Sequence, residues 1–131
     1  MSVNSVPKRG EVWLINFDPQ VGHEIRKCRP AVVVSLDAIG KLPLRIIVPV
    51  TEWDDRYAAS PWLIRLHATA ANGLSKDSAA DSFQVKSLSL QRFVKKIGHL
   101  SKTVTDEISD GVALCIGFSP PVMEGDVEVN A

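Results

Sequence analysis

A chain of 131 residues that is 45% hydrophobic and 23% charged fits one domain with its own core and excludes a second one of ordinary size, and no apolar run approaches the roughly 18 residues that cross a bilayer. A formal net charge of zero argues against a general nucleic-acid coat protein. Yet residues 1–102 hold all 15 Lys and Arg with only 9 acids, while residues 103–131 hold the other 6 acids and no Lys or Arg, so a basic body adjoins an acidic end.

Residues 1–7 are polar and contain Pro7; they are expected to be a flexible terminus, and without the apolar core of a secretion signal the expected setting is the cytoplasm. A single domain is expected over residues 8–118, followed by a flexible acidic tail over 119–131. Residues 11–17 alternate Val12 and Leu14 with Trp13, Ile15 and Phe17, and Asp18-Pro19 closes them, which reads as a first strand. Residues 20–29 form an open loop of about ten residues, longer than a hairpin needs and so a working-loop candidate. The β-branched run 31–36 predicts a second strand buried on both faces. After a turn at 40–43, residues 44–51 predict a third strand, with Pro49 at an edge or a bulge.

Residues 52–60 are charged and turn-like, and 61–66 predict a fourth strand with Arg65 outward. Residues 67–81 read as a loop or a short hairpin extension around Asn72-Gly73. A fifth strand over 83–88, one helical turn over 89–93 and a sixth strand over 94–100 complete a set of short strands with close turns, the pattern of a small β-barrel. Ser101 or Thr103 caps a helix over 104–118, with Asp106 and Glu107 in its first turn. Ile108, Val112 and Ile116, with Ala113 and Leu114, are its expected packing face. Pro120-Pro121 ends it. The acidic tail beyond could shield the basic face or screen association, but solvation is the first reading.

Chemistry concentrates in Gly22-His23-Glu24-Ile25-Arg26-Lys27-Cys28-Arg29-Pro30. Pro30 lacks an N–H and pushes Arg29 toward extended backbone, so its guanidinium should stand at the strand mouth, outside the core, where a planar donor suits a phosphate or a carboxylate. The plainer reading is a solvated turn, with Arg29 in a structural ion pair with Glu24 or Asp18. Cys28 and Cys115 are expected to be free thiols, Cys28 with its pKa lowered by three neighbouring cations. Glu52, Asp54 and Asp55 cluster in one turn without supporting ligands, so no metal is expected there, and no cofactor is implied.

Three blocks, Arg9-Gly10-Glu11-Val12-Trp13-Leu14-Ile15-Asn16-Phe17-Asp18-Pro19, the arginine-proline strand and Ile46-Ile47-Val48-Pro49-Val50-Thr51, resemble in order and spacing the PemK/MazF family of toxin endoribonucleases from bacterial type II toxin–antitoxin pairs. Gly73-Leu74-Ser75-Lys76-Asp77-Ser78 and Ile97-Gly98-His99-Leu100 extend the likeness from Arg9 to Gly117. The resemblance implies a mainly β, SH3-like barrel with a C-terminal helix, a homodimer and an antitoxin partner. It also implies metal-independent cleavage of single-stranded RNA, chiefly messenger, by attack of the 2′-oxygen, leaving a 2′,3′-cyclic phosphate and a 5′-hydroxyl.

Arg29 matches the arginine regarded in that family as essential. Thr51 matches the threonine that helps hold the scissile phosphate, although β propensity alone would also place a threonine there. His23 and Glu24 match a Gly-His-Glu variant in which either type has been proposed to assist, histidine being able to move a proton both ways near neutral pH. Arg26, Lys27, Gln84 and Lys86 are the expected RNA contacts, and His67 and His99 read as ordinary surface or packing histidines. Many relatives resemble Asp-Gln-Ile-Arg-Thr-Val-Asp where this chain has Phe83-Gln84-Val85-Lys86-Ser87-Leu88-Ser89, retaining only Gln84. Phe83 there points into the core or stacks on a base, the core being the first reading. The altered segment keeps a second function open, a non-enzymatic toxin of the same fold that docks on DNA gyrase.

Overall fold

The computed structural model describes residues 6–18, 28–39 and 41–119. Alternation in β1 (Glu11–Asn16) sends Val12 to one face and Trp13 and Ile15 to the other, and all three are buried. In β2 (Cys28–Val33) the consecutive Ala31, Val32 and Val33 have no exposure at all, because this strand lies between two cores, as its unbroken β-branched run requires. β3 (Leu44–Glu52) runs antiparallel to β2, Val48 opposite Val32 and Ile47 opposite Val33.

The remaining elements are β4 (Leu63–Leu66), β5 (Ser78–Asp81), β6 (Lys86–Ser89), β7 (Phe93–His99) and α1 (Lys102–Cys115). Strand order is β4-β5-β3-β2-β1-β7, with β6 paired to the first half of β3. Register shifts between β1 and β7 bend the sheet in the manner of β-bulges. The sheet curls without closing, so it is a barrel only in a loose sense. One core gathers Val12, Val32, Val48, Val50, Leu66, Leu74 and Ala80 under Ile108 of the helix. The other gathers Trp13, Ile15, Ala31, Val33, Ile47 and Phe93, with Trp13 and Phe93 edge to face at 5.8 Å. Each fully buried aliphatic side chain contributes about 1.5–3 kcal/mol, so these two clusters hold the strands in place.

Pro49 shows how a proline survives inside the long strand. β6 pairs with β3 at residues 44–47 and β5 at residues 50–52, so Pro49 falls in the gap between them, a local edge where a missing N–H breaks no rung on that side.

Several expectations need correction. The segment read as loop or hairpin extension, 67–81, ends in β5, which was missed because Ser-Ala-Ala-Asp carries no β-branched or aromatic residue. The fifth strand expected at 83–88 is instead a 3₁₀ turn, Ser82–Gln84, followed by β6; the Asp81 side chain caps that turn at the Phe83 N–H. Ser101, not Thr103, caps α1, its Oγ accepting from the Val104 N–H at 3.2 Å. The helix therefore starts at Lys102 and ends at Cys115. Asp106 and Glu107 lie beyond its first turn, and Asp106 is held by Lys102 and Arg9. Ile108 and Val112 pack inward, but Leu114 and Ile116 are exposed. Their expected places go to Thr105 and Gly111. A Cβ on Gly111 would lie 2.6 Å from Ser82 Oγ, so a glycine there lets the helix close onto the Ser82 turn.

Candidate functional site

Arg29 is the second residue of β2, opposite Ile15, and Thr51 is the penultimate residue of β3, opposite Ala79. Both are exposed, and both line one open groove of about 450 Å³ whose apolar residues are Leu14, Pro30, Val50, Leu74 and Ile97. Glu52, Gly73, Ser75, Lys76 and Ser78 complete it. Arg29 projects from a strand whose residues Ala31, Val32 and Val33 are fully buried, so its backbone is fixed while its side chain is exposed at the groove. Among the described residues no carboxylate pairs with it, Asp18 included.

The polar side of the groove is built from the chain between β4 and β5. Asn72 ties that segment to itself, donating from Nδ2 to the His67 carbonyl at 2.8 Å and accepting from the Thr69 and Leu74 amides at 3.1 and 3.0 Å. Gly73 has φ +70° and no room for a side chain, since a Cβ would sit 2.0 Å from the Ile97 carbonyl oxygen. Asp77 then anchors the end. Its carboxylate accepts from the Ala68 N–H at 3.0 Å and faces His67 Nδ1 at 3.3 Å and Arg65 Nη2 at 3.4 Å. Its carbonyl accepts from the Trp53 N–H at 3.0 Å. The Ala68 amide, ahead of His67 and Arg65, holds the Asp77 carboxyl below its ordinary value. Lys76 is thereby set on the groove, its ammonium 3.3 Å from Glu52 Oε2.

Of the other residues singled out from sequence, His23, Glu24, Arg26 and Lys27 lie outside the described residues. Gln84 and Lys86 do not line the groove. Gln84 donates to Asp81 Oδ2 at 2.9 Å, and the Lys86 ammonium sits over the Phe17 ring, 5.3 Å from its centroid. Phe83 is not a core residue: it is 67% exposed and tilts against Trp62 at 6.4 Å. The Cys28 thiol is pushed up, not down, by burial and then by the Asp18 carboxylate. Glu52, Asp54 and Asp55 each turn to a separate partner, respectively Lys76, Arg56 and the Trp53 indole N–H. Arg56 holds the Asp54 carboxyl down at about 2.

Sequence reasoning missed Lys76, Ser75, Ser78 and Glu52 as groove residues. The signal was present in Gly73-Leu74-Ser75-Lys76-Asp77-Ser78, whose Asn-Gly turn and rigid glycine bring polar side chains back to the end of β3.

The family model described as PemK-like, MazF-like toxin of type II toxin-antitoxin system matches residues 8–116. Among curated proteins, Endoribonuclease MazF9 of Mycobacterium tuberculosis (strain ATCC 25618 / H37Rv) is 32% identical over 113 residues, 82% of this chain and 93% of that protein. Endoribonuclease toxin ChpB of Escherichia coli (strain K12) is 30% identical over 104 residues, 76% of this chain and 85% of that one. The crystal structure of MazF from Deinococcus radiodurans superposes with a TM-score of 0.67 at 28% identity, covering 86% of this chain and 98% of that one. A MazE–MazF structure from the same organism gives 0.68 at 27% identity, covering 87% and 99%. Matched by that family model over residues 8–116, the chain belongs to the PemK-like, MazF-like toxins of type II toxin–antitoxin systems.

Proposed function

We propose that this chain is a toxin endoribonuclease that cuts single-stranded RNA, chiefly messenger, at the groove shared by Arg29 and Thr51. The observation that carries the reading is that two residues from different strands, one a guanidinium with no carboxylate partner among the described residues and the other a hydroxyl, open onto the same cleft. The names of the relatives, endoribonucleases in each case, support it.

The chemistry needs a base for the ribose 2′-hydroxyl, a cation for the crowded phosphorane and a proton for the departing 5′-oxygen. Arg29 holds two phosphate oxygens in a fork, which stabilises the extra negative charge as the 2′-oxygen bonds to phosphorus. Thr51 donates to the same phosphate. His23 and Glu24 carry the proton traffic: one takes the 2′-hydroxyl proton, and the other returns one to the 5′-oxygen as the P–O5′ bond breaks. Histidine suits either direction near neutral pH, whereas Glu24 needs a raised pKa to be an efficient acid. The products are a 2′,3′-cyclic phosphate and a 5′-hydroxyl end, with no metal required. Lys76 adds a cation inside the groove, and Arg26, Lys27, Gln84 and Lys86 extend contact to RNA beyond it.

The natural partner is an antitoxin whose extended acidic and apolar segment covers the cationic groove; the similarity to MazF in a MazE–MazF structure supports this. A homodimer is supported by Leu36, Ile39, Leu42, Leu44 and Ile46, which are exposed and all border one concavity of about 140 Å³. Contiguous apolar surface of this kind marks an association site.

Incubating the purified chain with a long RNA in excess chelator tests the reading. Fragments ending in cyclic phosphate and 5′-hydroxyl are expected. Intact RNA together with gyrase binding would instead favour the non-enzymatic toxin.

A further inference from the structure

Beside the groove stands a second built surface. β3 continues from Thr51 and Glu52 straight into Trp53, whose N–H is fixed to the Asp77 carbonyl. The Trp53 indole N–H donates to Asp55 Oδ1 at 2.9 Å, and the Tyr57 ring meets it edge-on with centroids 5.9 Å apart. Over the Trp53 ring lies the Arg65 guanidinium, 4.6 Å from the centroid, steered by Asp77. Arg65 is exposed and Trp53 half-buried. Asp77 directly follows the groove cation Lys76, so the platform and the groove share a wall.

We propose that Trp53 and Arg65 form a stacking platform for one nucleobase flanking the scissile step, a substrate-positioning subsite; this rests on the RNA-cleaving reading above. A guanidinium plane backed by an aromatic ring is a surface on which an unpaired base stacks, and it tolerates any base because each has a π face. The geometry is fixed before substrate arrives: the indole by Asp55 and Tyr57, the guanidinium by Asp77. Binding therefore loses little side-chain freedom. Of the acids nearby, Glu52, Asp77 and Asp54 each have a cationic partner and Asp55 is engaged by the Trp53 indole N–H, which limits repulsion of the strand. Stacking needs the plane rather than the charge. Arg65→Lys should thus behave like Arg65→Ala, while Trp53→Phe should retain most of the function.

The test begins by mapping cleavage sites of the wild-type chain on a long RNA. A short RNA around the best site is then made in versions that replace one flanking base at a time by an abasic nucleotide. Trp53→Ala, Arg65→Ala and Arg65→Lys are expected to lose on the order of tenfold in kcat/KM, chiefly through KM. The loss should vanish on the version abasic at one particular flanking position, where the wild type itself falls to the level of the variants. Trp53→Phe should stay near wild type. Equal losses on every version would mean that the variants act by distorting β3, and no loss would mean that no base rests there; either overturns the platform while cleavage by the wild type leaves the nuclease reading standing. A wild-type chain that cuts no RNA overturns both.

Discussion

Arg29 leaves β2 beside Ala31, Val32 and Val33, which have no exposure, so the packing that fixes its backbone does not involve its side chain. Substitution there should change stability by less than about 0.5 kcal/mol, which separates a loss of chemistry from a loss of fold. Thr51 is a cleaner probe of the second phosphate contact. Thr51→Val keeps the shape and β propensity but removes the donor, and kcat is expected to fall at least about tenfold with KM little changed, read in single-turnover cleavage. Asp77 allows a test by pH. Its folded pKa is depressed, first by the Ala68 amide, so its contribution is present above the ordinary carboxylate value of about 3.9 and is lost as pH falls through the folded value. Thermal unfolding should show Asp77→Asn less stable than wild type near neutral pH, with the gap closing as the solution is acidified. A gap that widened in acid would contradict the assignment.

Among the elements, β1, β2 and β3 were legible because their alternation and their β-branched run follow from burial on two faces, although β2 runs over Cys28–Val33 and not over the expected 31–36, so Arg29 lies within the strand and not in the loop before it. β5 and the phase of α1 were not. Small residues pack there, Ala79 and Ala80 in the strand and Thr105 and Gly111 in the helix, and small residues carry no hydrophobic signal. Phe83 misled for the opposite reason: a large ring at an exposed turn reads as core in any periodicity argument. Of the site, Arg29 and Thr51 were legible through their motifs, whereas Lys76 sat in a polar loop whose destination depends on a contact far along the chain. That contact is the crossing of the Asn72-Gly73 turn with β7. A Cβ on Gly98 would lie 2.3 Å from the Ala71 carbonyl oxygen and 2.4 Å from the Asn72 carbonyl carbon. Gly98→Ala should therefore cost about 1–3 kcal/mol in chemical unfolding and lower cleavage by shifting Lys76. Ser101→Ala, which only uncaps α1, should cost about 1 kcal/mol and leave cleavage at wild-type levels at temperatures where the chain stays folded.

For the whole molecule, the distribution of charge matters more than its sum. The fifteen cations all lie in residues 1–102, Arg29 and Lys76 opening onto one cleft, while the last acids, Glu124, Asp126 and Glu128, fall outside the described residues. The homodimer proposed above would cover the exposed apolar residues Leu36, Ile39, Leu42, Leu44 and Ile46. Leu36→Glu combined with Leu42→Glu should give a monomer by sedimentation, and a dimer that persisted would place the contact elsewhere. The reading as a nuclease stands or falls with Arg29. Cleavage of a mapped RNA by Arg29→Ala, with thermal unfolding measured on the same preparation, is the most direct check: a folded variant at least about a thousandfold slower than wild type is expected, and a folded variant that cuts at the wild-type rate would contradict the account.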